Sequence, residues 1–194
     1  MKTIPFQDFV RRYFSGEEFV LFDTETGGLN TFHDEIIEIG AMIISKNGKT
    51  KEFEEIMKVN INKINPIAWS IHKIPKDKIE SARSQEDVLK DFVEFCGNRV
   101  LIAHNIKFDF PMLNSNLIRN GLKPYQNDDV ACTLVYAKEQ MLPGKLSNLA
   151  QHYNITTQAK NLHRALYDVD ILKGVLESMM KENEPEDMQY SIIL

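Results

Sequence analysis

The feature that most constrains the fold is a pair of apolar runs joined by a tight-turn sequence. The stretches "IIEIGAMII" from Ile36 and "TKEFEEIMKV" from Thr50 have the composition of β-strands. Asn47 and Gly48 lie between them, and both residues tolerate the positive φ angles that a short hairpin turn requires. We therefore predict two adjacent antiparallel strands, with the apolar run from Phe19 to Phe22 as a further strand.

The second half of the chain alternates between helical and strand patterns. Ser84 is the predicted N-cap of a helix with the sequence "QEDVLKDFVEFC", and a short strand, "RVLIAH", follows it. Pro111 is expected near the first turn of the next helix, which ends before Gly121. A last helix carries one apolar stripe with helical spacing, formed by Ala165, Val169, Leu172, Leu176 and Met179. Antiparallel strands followed by β-α units predict an α/β fold in which helices flank a mixed sheet.

Length and composition limit the number of domains and the kind of partner. A chain of 194 residues with 43% hydrophobic content is expected to form one core, so we predict a single domain over residues 1–180 and a short tail over 181–194. The net charge of -5 excludes a general electrostatic attraction to an anionic polymer, so binding of nucleic acid must be local. Cys96 and Cys132 have no metal-binding or redox spacing, and the sequence shows no secretion signal and no membrane-spanning apolar run. We expect a soluble, cytoplasmic protein with no membrane contact.

Two acidic residues end the first apolar strand in the sequence "FDTETGG". Asp23 and Glu25 point to the same side because side chains of a strand alternate between its faces. Two carboxylates held this close repel each other unless a cation lies between them, and hard oxygen ligands suit Mg²⁺ or Mn²⁺. Gly27 and Gly28 then allow the backbone to turn and to approach a ligand closely. The alternative is an ordinary exit from a strand, with solvated acids.

Further titratable residues follow later strands and open later helices. Asp109 is expected at the start of the helix that follows "LIAHN", where it is either a site residue or a carboxylate favoured by the helix dipole. Asp168 falls within the last helix, and His163 precedes it by five residues. The two side chains converge only if His163 lies on the preceding loop or in the first turn. Otherwise His163 is an exposed histidine at a helix start.

Taken together, these segments resemble the DEDDh family of 3′-to-5′ exonucleases. The three motifs of that family are similar to "FDTETGG", "HNIKFDFPML" and "HRALYDVD", in this order. The sister subfamily places a tyrosine four residues before the last Asp, where this chain has Arg164. The resemblance implies an RNase H-like fold and a hydrolase that releases nucleoside monophosphates from a 3′ end. Within the family, the chain resembles the proofreading epsilon-type subunits of bacterial DNA polymerase III and their stand-alone relatives.

The resemblance also implies roles for individual residues. Four carboxylates are expected to hold two divalent ions, Mg²⁺ or Mn²⁺, with Asp23 bridging them: Asp23, Glu25, Asp109 and Asp168. His163 is expected to act as the general base on the attacking water, a role that histidine commonly fills. The expected substrate contacts are Thr24, Thr26, Gly27, His72, His104 and Asn105. Several proofreading members carry an acid where this chain has Ile67, and Trp69 is expected either to stack on a base or to pack in the core.

The expected substrate is the 3′ end of a single-stranded nucleic acid. DNA is favoured, and an RNA exonuclease of the same family is the first alternative. A non-catalytic interaction subunit that keeps the fold is the second, although the complete set of acids argues against it. The C-terminal sequence "QYSIIL" resembles a peptide that docks on the bacterial sliding clamp, so a polymerase or clamp is a candidate partner; a frayed terminus is the alternative.

Overall fold

The computed structural model describes residues 1–48, 50–157 and 163–183, and its centre is a mixed sheet that contains seven strands in these ranges. The strands are Lys2–Thr3 (β1), Phe19–Thr26 (β2), Ile36–Ile44 (β3), Lys51–Lys58 (β4), Arg83–Ser84 (β5), Val100–Ala103 (β6) and Asp129–Cys132 (β7). Their order is β1-β7-β6-β2-β3-β4-β5, so β2 lies in the middle. It pairs antiparallel with β3 and parallel with β6. The predicted α/β class with a mixed, helix-flanked sheet is confirmed.

Helices cover both faces of the sheet. They are Phe6–Phe14 (α1), Pro66–His72 (α2), Lys76–Ser81 (α3), Gln85–Cys96 (α4), Ile106–Arg119 (α5), Thr133–Glu139 (α6), Leu146–His152 (α7) and Ala165–Glu182 (α8), with a 3-10 turn at Ile61–Lys63. Phe19 and Leu21 pack in the same cluster as α1 and α8, whereas Val20 and Phe22 pack with α4 and α5. Alternate residues of β2 therefore face two different helical layers.

Three predictions of local structure are confirmed. The predicted hairpin is formed by β3 and β4, which pair antiparallel, and Gly48 has a φ angle of 72°. Ser84 caps α4 by accepting a hydrogen bond from the backbone N–H of Asp87 at 3.2 Å. The apolar stripe of α8 is buried at every predicted position.

The structure differs from the predictions in two elements and adds several short ones. Strand β2 continues to Thr26, so Asp23 and Glu25 lie within the strand, where they still pair with β3. Pro111 lies in the second turn of α5, because that helix begins at Ile106. The two-residue strands β1 and β5 and the short helices α2, α3, α6 and α7 were not predicted, since segments of this length show no clear periodicity.

The close contact between β3 and α8 fixes where the start of α8 lies against the sheet. A Cβ atom on Gly40 of β3 would collide with the backbone of Ala165 and Leu166 at the start of α8. Only glycine permits this approach.

Among the described residues, no helix has both the length and the apolar character needed to cross a membrane. The C-terminal sequence "QYSIIL" lies outside the described residues.

Candidate active site

Carboxylates from β2 and α8 meet beside the centre of the sheet. Asp23 and Glu25 continue the face of β2 that packs on α8, and Asp168 lies in the first turn of that helix. Ligand atoms of Glu25, Asp168 and His163 lie within 4.8 Å of one another. Three of the predicted site residues are thus brought within reach of a single ion.

Asp109 reaches the same place from the opposite layer of helices. It lies in the first turn of α5 and is buried. The Thr24 hydroxyl donates a hydrogen bond of 2.8 Å to its carboxylate and holds it towards β2. Asp109 is close enough to Asp23 for charge repulsion between the two to raise the pKa of Asp23. The site therefore joins α5 and α8 at the middle strand.

The four carboxylates are electrostatically crowded. Burial, followed by repulsion from Asp168 and Glu38, raises the pKa of Glu25 to about 8. Burial raises the pKa of Asp109 to about 7, although the bond from Thr24 opposes this shift. Burial, together with the neighbouring acids, also raises the pKa of Asp23 well above its ordinary value, and burial raises that of Asp168. Such a set is costly to ionise in the free protein, and a divalent cation would relieve the repulsion.

His163 lies on the turn that precedes α8, as the five-residue spacing requires for it to converge with Asp168. Its φ angle of 65° is in the left-handed region, and its backbone N–H donates to the Asp168 carboxylate at 3.1 Å. The side chain is exposed to solvent. The imidazole is therefore held beside the acids and remains accessible to water.

The predicted substrate contacts have different surroundings. His104 is held by two internal partners: the Gly144 carbonyl accepts from Nε2 at 2.9 Å, so Nδ1 accepts from the Thr133 hydroxyl at 3.0 Å. Both ring nitrogens are thereby occupied, and burial lowers the pKa of the ring. Asn105 is exposed at the start of α5, next to the end of β6.

His72 is buried at the C-terminal end of α2. Its Nδ1 accepts from the backbone N–H of Ile74 at 3.0 Å, which leaves the proton on Nε2, and that nitrogen has no hydrogen-bond partner among the described residues. Burial lowers its pKa. Trp69 packs against the cluster that contains Ile74, and the Lys76 ammonium lies 5.5 Å from its ring centre, in agreement with the packing interpretation of Trp69.

Gly27 and Gly28, which follow β2, are both held by contacts within the protein. Both polar backbone groups of Gly27 are used internally, by the Glu35 carbonyl and the Asn65 N–H, each at 2.8 Å. A Cβ atom on Gly28 would collide with the Asp34 carboxylate. Gly28 also lines the cleft described next. The backbone bends at Gly27, Gly28 and Leu29, although neither glycine has a positive φ angle.

An apolar cleft of about 320 Å³ opens beside Glu25. Its walls are Thr24, Glu25, Thr26, Gly28, Leu29, Asn65, Ile67, Ala68, Ile71 and Phe108. Leu29 is 86% exposed and Ile67 is 71% exposed, which is unusual for side chains of their size. The sequence predictions missed Leu29, Ile71 and Phe108. Ile67 and Ile71 lie four residues apart on α2, so an apolar pair on the outer side of a short helix is the pattern that could have indicated them.

A cluster of carboxylates and a histidine beside an apolar cleft is typical of metal-dependent nucleases. Comparison with known proteins identifies the family. The model of the RNase_T family, described as exonuclease, matches residues 20–176. The chain belongs to this family. The predicted class, a DEDDh 3′-to-5′ exonuclease with the RNase H-like fold, is confirmed.

Similar curated proteins are bacterial polymerases of much greater length. The PolC-type DNA polymerase III of Ureaplasma parvum is 30% identical over 167 residues, which are 85% of this chain and 12% of that protein. That of Clostridium perfringens is 31% identical over 179 residues, with 89% and 12% covered. This chain therefore spans about an eighth of the length of these relatives.

Solved structures share the fold at low sequence identity. Escherichia coli exonuclease I in complex with a dT13 oligonucleotide has a TM-score of 0.75 and 15% identity, over 91% of this chain and 43% of that one. The nuclease domain of 3′hExo, a DEDDh family member bound to rAMP, has a TM-score of 0.71 and 17% identity, over 86% of this chain and 93% of that one. One neighbour is thus bound to a DNA oligonucleotide and the other to a ribonucleotide.

Proposed function

We propose that this chain removes nucleotides one at a time from the 3′ end of single-stranded DNA. The observation that carries the proposal is the convergence of four crowded carboxylates and an accessible histidine beside an apolar cleft. The complete set of acids and the histidine argues against a non-catalytic interaction subunit.

The donor set fits two divalent ions. Asp23, Glu25, Asp109 and Asp168 offer hard oxygen ligands, and Mg²⁺ and Mn²⁺ are the ions that such ligands favour. The raised pKa values of Asp23 and Glu25 arise from burial first and from repulsion by neighbouring acids second, and the Arg164 cation offsets only part of this shift at Glu25. When bound, two ions would activate the attacking water and stabilise charge on the attacking and leaving oxygens.

The protein itself supplies the base and the orientation of the substrate. His163 would accept the proton of the attacking water at a ring nitrogen, since its side chain is exposed beside Glu25 and Asp168. The cleft would take the terminal nucleotide, with its base against Leu29 and Phe108. Thr24, Thr26, Gly27, His72, His104 and Asn105 would shape or contact this end of the strand. For His104, the two internal bonds favour a shaping role.

DNA is the favoured polymer because the relatives near 30% identity are DNA polymerases. RNA is the second candidate, because the nuclease domain of 3′hExo matches over nearly its whole length and is bound to rAMP. Discrimination of the 2′-hydroxyl depends on the shape of the cleft, so both polymers belong in one test.

The test compares 5′-labelled single-stranded DNA with matching RNA in Mg²⁺ or Mn²⁺. We expect a ladder that shortens from the 3′ end, disappears with chelator and disappears in Asp23→Ala. Asp170→Asn is the matched control, because Asp170 is an exposed acid on the same helix as Asp168 and should leave digestion unchanged. If neither polymer is digested under any metal condition, the proposed activity is wrong.

A polymerase or a sliding clamp is the proposed protein partner, and the cytoplasm the proposed location. The proposal is supported by relatives in which the matching segment is one part of a polymerase. A pulldown with purified clamp would compare the intact chain with a chain truncated at Met188. Equal absence of binding would exclude docking through the C-terminal sequence.

A further inference from the structure

A fifth acid, Glu38, lies next to the site. It is on β3, directly opposite Glu25 in the β2–β3 ladder, and its side chain is fully buried. A buried carboxylate is strongly unfavourable unless it is paired and hydrogen-bonded. The partners of Glu38 therefore indicate why it is there.

All the side-chain hydrogen bonds described for Glu38 come from the two residues that follow His163. Arg164 donates through Nε to both carboxylate oxygens at 3.1 Å and through Nη2 to one of them at 2.6 Å. The backbone N–H of Ala165, at the start of α8, donates at 3.0 Å. One carboxylate thus caps the helix and binds the guanidinium of the residue beside His163. We call Glu38, Arg164 and the Ala165 N–H the Glu38 anchor.

The surrounding contacts make this anchor a fixed point. Gly40 is two residues further along the same face of β3, and its lack of a Cβ lets α8 approach the strand closely. On the other side of the turn, Asp168 accepts from the His163 N–H at 3.1 Å. The segment from His163 to Ala165 is therefore held both by β3 and by its own helix.

We propose that Arg164 is a positioning residue, which acts through Glu38 to hold His163 and Asp168 at their distance from Glu25. This inference rests on the proposed exonuclease function, because it assigns the anchor to the geometry of the same site. The guanidinium side chain is 42% exposed, whereas Glu38 is fully buried. The positive charge of Arg164 also lowers the pKa of Glu25, whereas burial and the neighbouring acids raise it.

The test uses three substitutions in the full chain. Arg164→Gln removes the cation, Arg164→Lys keeps the charge without the two-pronged geometry, and Glu38→Gln keeps an acceptor for the Ala165 N–H. Arg83→Gln is the matched control, since Arg83 also bonds two acids, Glu55 and Asp91, but on the exposed side of β5. The readouts are kcat and KM on single-stranded DNA, Mn²⁺ affinity by electron paramagnetic resonance, and the melting temperature.

We expect Arg164→Gln to lower kcat by about 100-fold, the size of effect that a misplacement of about 1 Å can produce. KM should change by less than about threefold, because the cleft walls are untouched. Mn²⁺ affinity should fall severalfold, and Arg164→Lys should recover part of both losses. Glu38→Gln should follow Arg164→Gln, and Arg83→Gln should match the unmodified protein.

Two results would overturn the inference. One is an unchanged kcat and Mn²⁺ affinity in folded Arg164→Gln and Glu38→Gln. The other is a loss of kcat that disappears when the assay is run well below each variant's melting temperature, which would make the anchor a stability element only. If the unmodified chain digests no polymer, the proposed function fails, whereas the Mn²⁺ measurements still decide whether Arg164 positions the ligands.

Discussion

Glu25 and Asp109 give the protein without bound metal an unusual response to pH. Their pKa values in the folded state are about 8 and about 7, above the ordinary values of 4.5 and 3.8. The folded protein thus binds these protons more tightly than the unfolded chain does. The resulting stability is fully present below the ordinary pKa and is lost as the pH rises through the folded-state pKa.

We therefore predict that the melting temperature in chelator falls between about pH 6.5 and about pH 8.5. His72 and His104 oppose this trend only near pH 6.5, where the unfolded chain still binds their protons while burial lowers the pKa of both rings in the folded protein; above about pH 7.5 both are neutral in either state. Thermal unfolding by circular dichroism would measure the slope. Asp109→Asn should flatten it, and a melting temperature that rises with pH in this window would contradict the prediction.

His163 can be tested separately from the metal ligands. We predict that His163→Asn lowers kcat by roughly 10² to 10⁴-fold, the usual contribution of a general base. Mn²⁺ affinity should change little, because the four carboxylates remain. His152→Asn, at an exposed histidine of α7, is the control and should be fully active. Loss of Mn²⁺ binding in the His163 variant would instead make this residue a ligand.

Candidate site residues could be predicted from the sequence where a chemical type recurs at a strand end or a helix start. Asp23 and Glu25 follow from the alternation of a strand, and Asp109 follows from its place after the strand that contains "LIAH". The pair of Glu38 and Arg164 could not be found in this way. Its partners are 126 residues apart in sequence and meet only because β3 and α8 pack together.

At the scale of elements, the approach of α8 to β3 depends on Gly40. We predict that Gly40→Ala destabilises the protein by about 1 to 3 kcal/mol, the usual cost of overpacking, because the new Cβ would collide with helix backbone that cannot move alone. It should also lower kcat, since His163 and Asp168 would shift. Thermal unfolding and the exonuclease assay would measure the two effects.

Gly174→Ala is the matched comparison for Gly40→Ala. Gly174 lies within α8, and a Cβ there would meet only the Ile155 side chain, at 3.1 Å. A small movement of that side chain should suffice, and alanine favours a helix over glycine by about 1 kcal/mol. Equal destabilisation by the two substitutions would show that the approach of β3 to α8 is not the cause.

The elements predicted correctly are those with many residues in one pattern. The β3–β4 hairpin combines a long apolar run with an Asn-Gly turn, and α8 repeats its apolar spacing several times. The cleft was not predicted because its walls come from the end of β2, the loop after it, the seven-residue helix α2 and Phe108 of α5. None of these segments reveals from its own sequence which other segment it faces.

At the scale of the whole molecule, the carboxylates that would bind cations lower the stability of the protein when no metal is bound. The chain carries a net charge of -5, and four of its acids are concentrated beside the middle strand, where burial raises the pKa of each and repulsion from neighbouring acids adds to the shift at Asp23 and Glu25. Such crowding lowers stability in the absence of metal and favours any ion that binds there. Binding to the folded state alone contributes about 2.7 kcal/mol at a ligand concentration of 100 times Kd.

Asp23→Asn should separate these two effects. We predict that it raises the stability of the metal-free protein by roughly 0.5 to 2 kcal/mol, the usual gain from relieving a functional site, because Asp23 is repelled by Asp109, Glu25 and Asp168. In a chain of this size that is a rise of about 1 to 8 °C in melting temperature. The same substitution should abolish exonuclease activity and most of the stabilisation by Mn²⁺.

Melting curves with and without saturating Mn²⁺ would test both halves of this prediction, with Asp170→Asn as the control that keeps the full Mn²⁺ response. A metal-free Asp23→Asn protein that melts below the unmodified chain would mean that Asp23 is stabilising as a carboxylate, contrary to the electrostatic account of the site. An unchanged Mn²⁺ response would remove Asp23 from the proposed ligand set, because an amide in its place cannot supply the charge that two adjacent cations require.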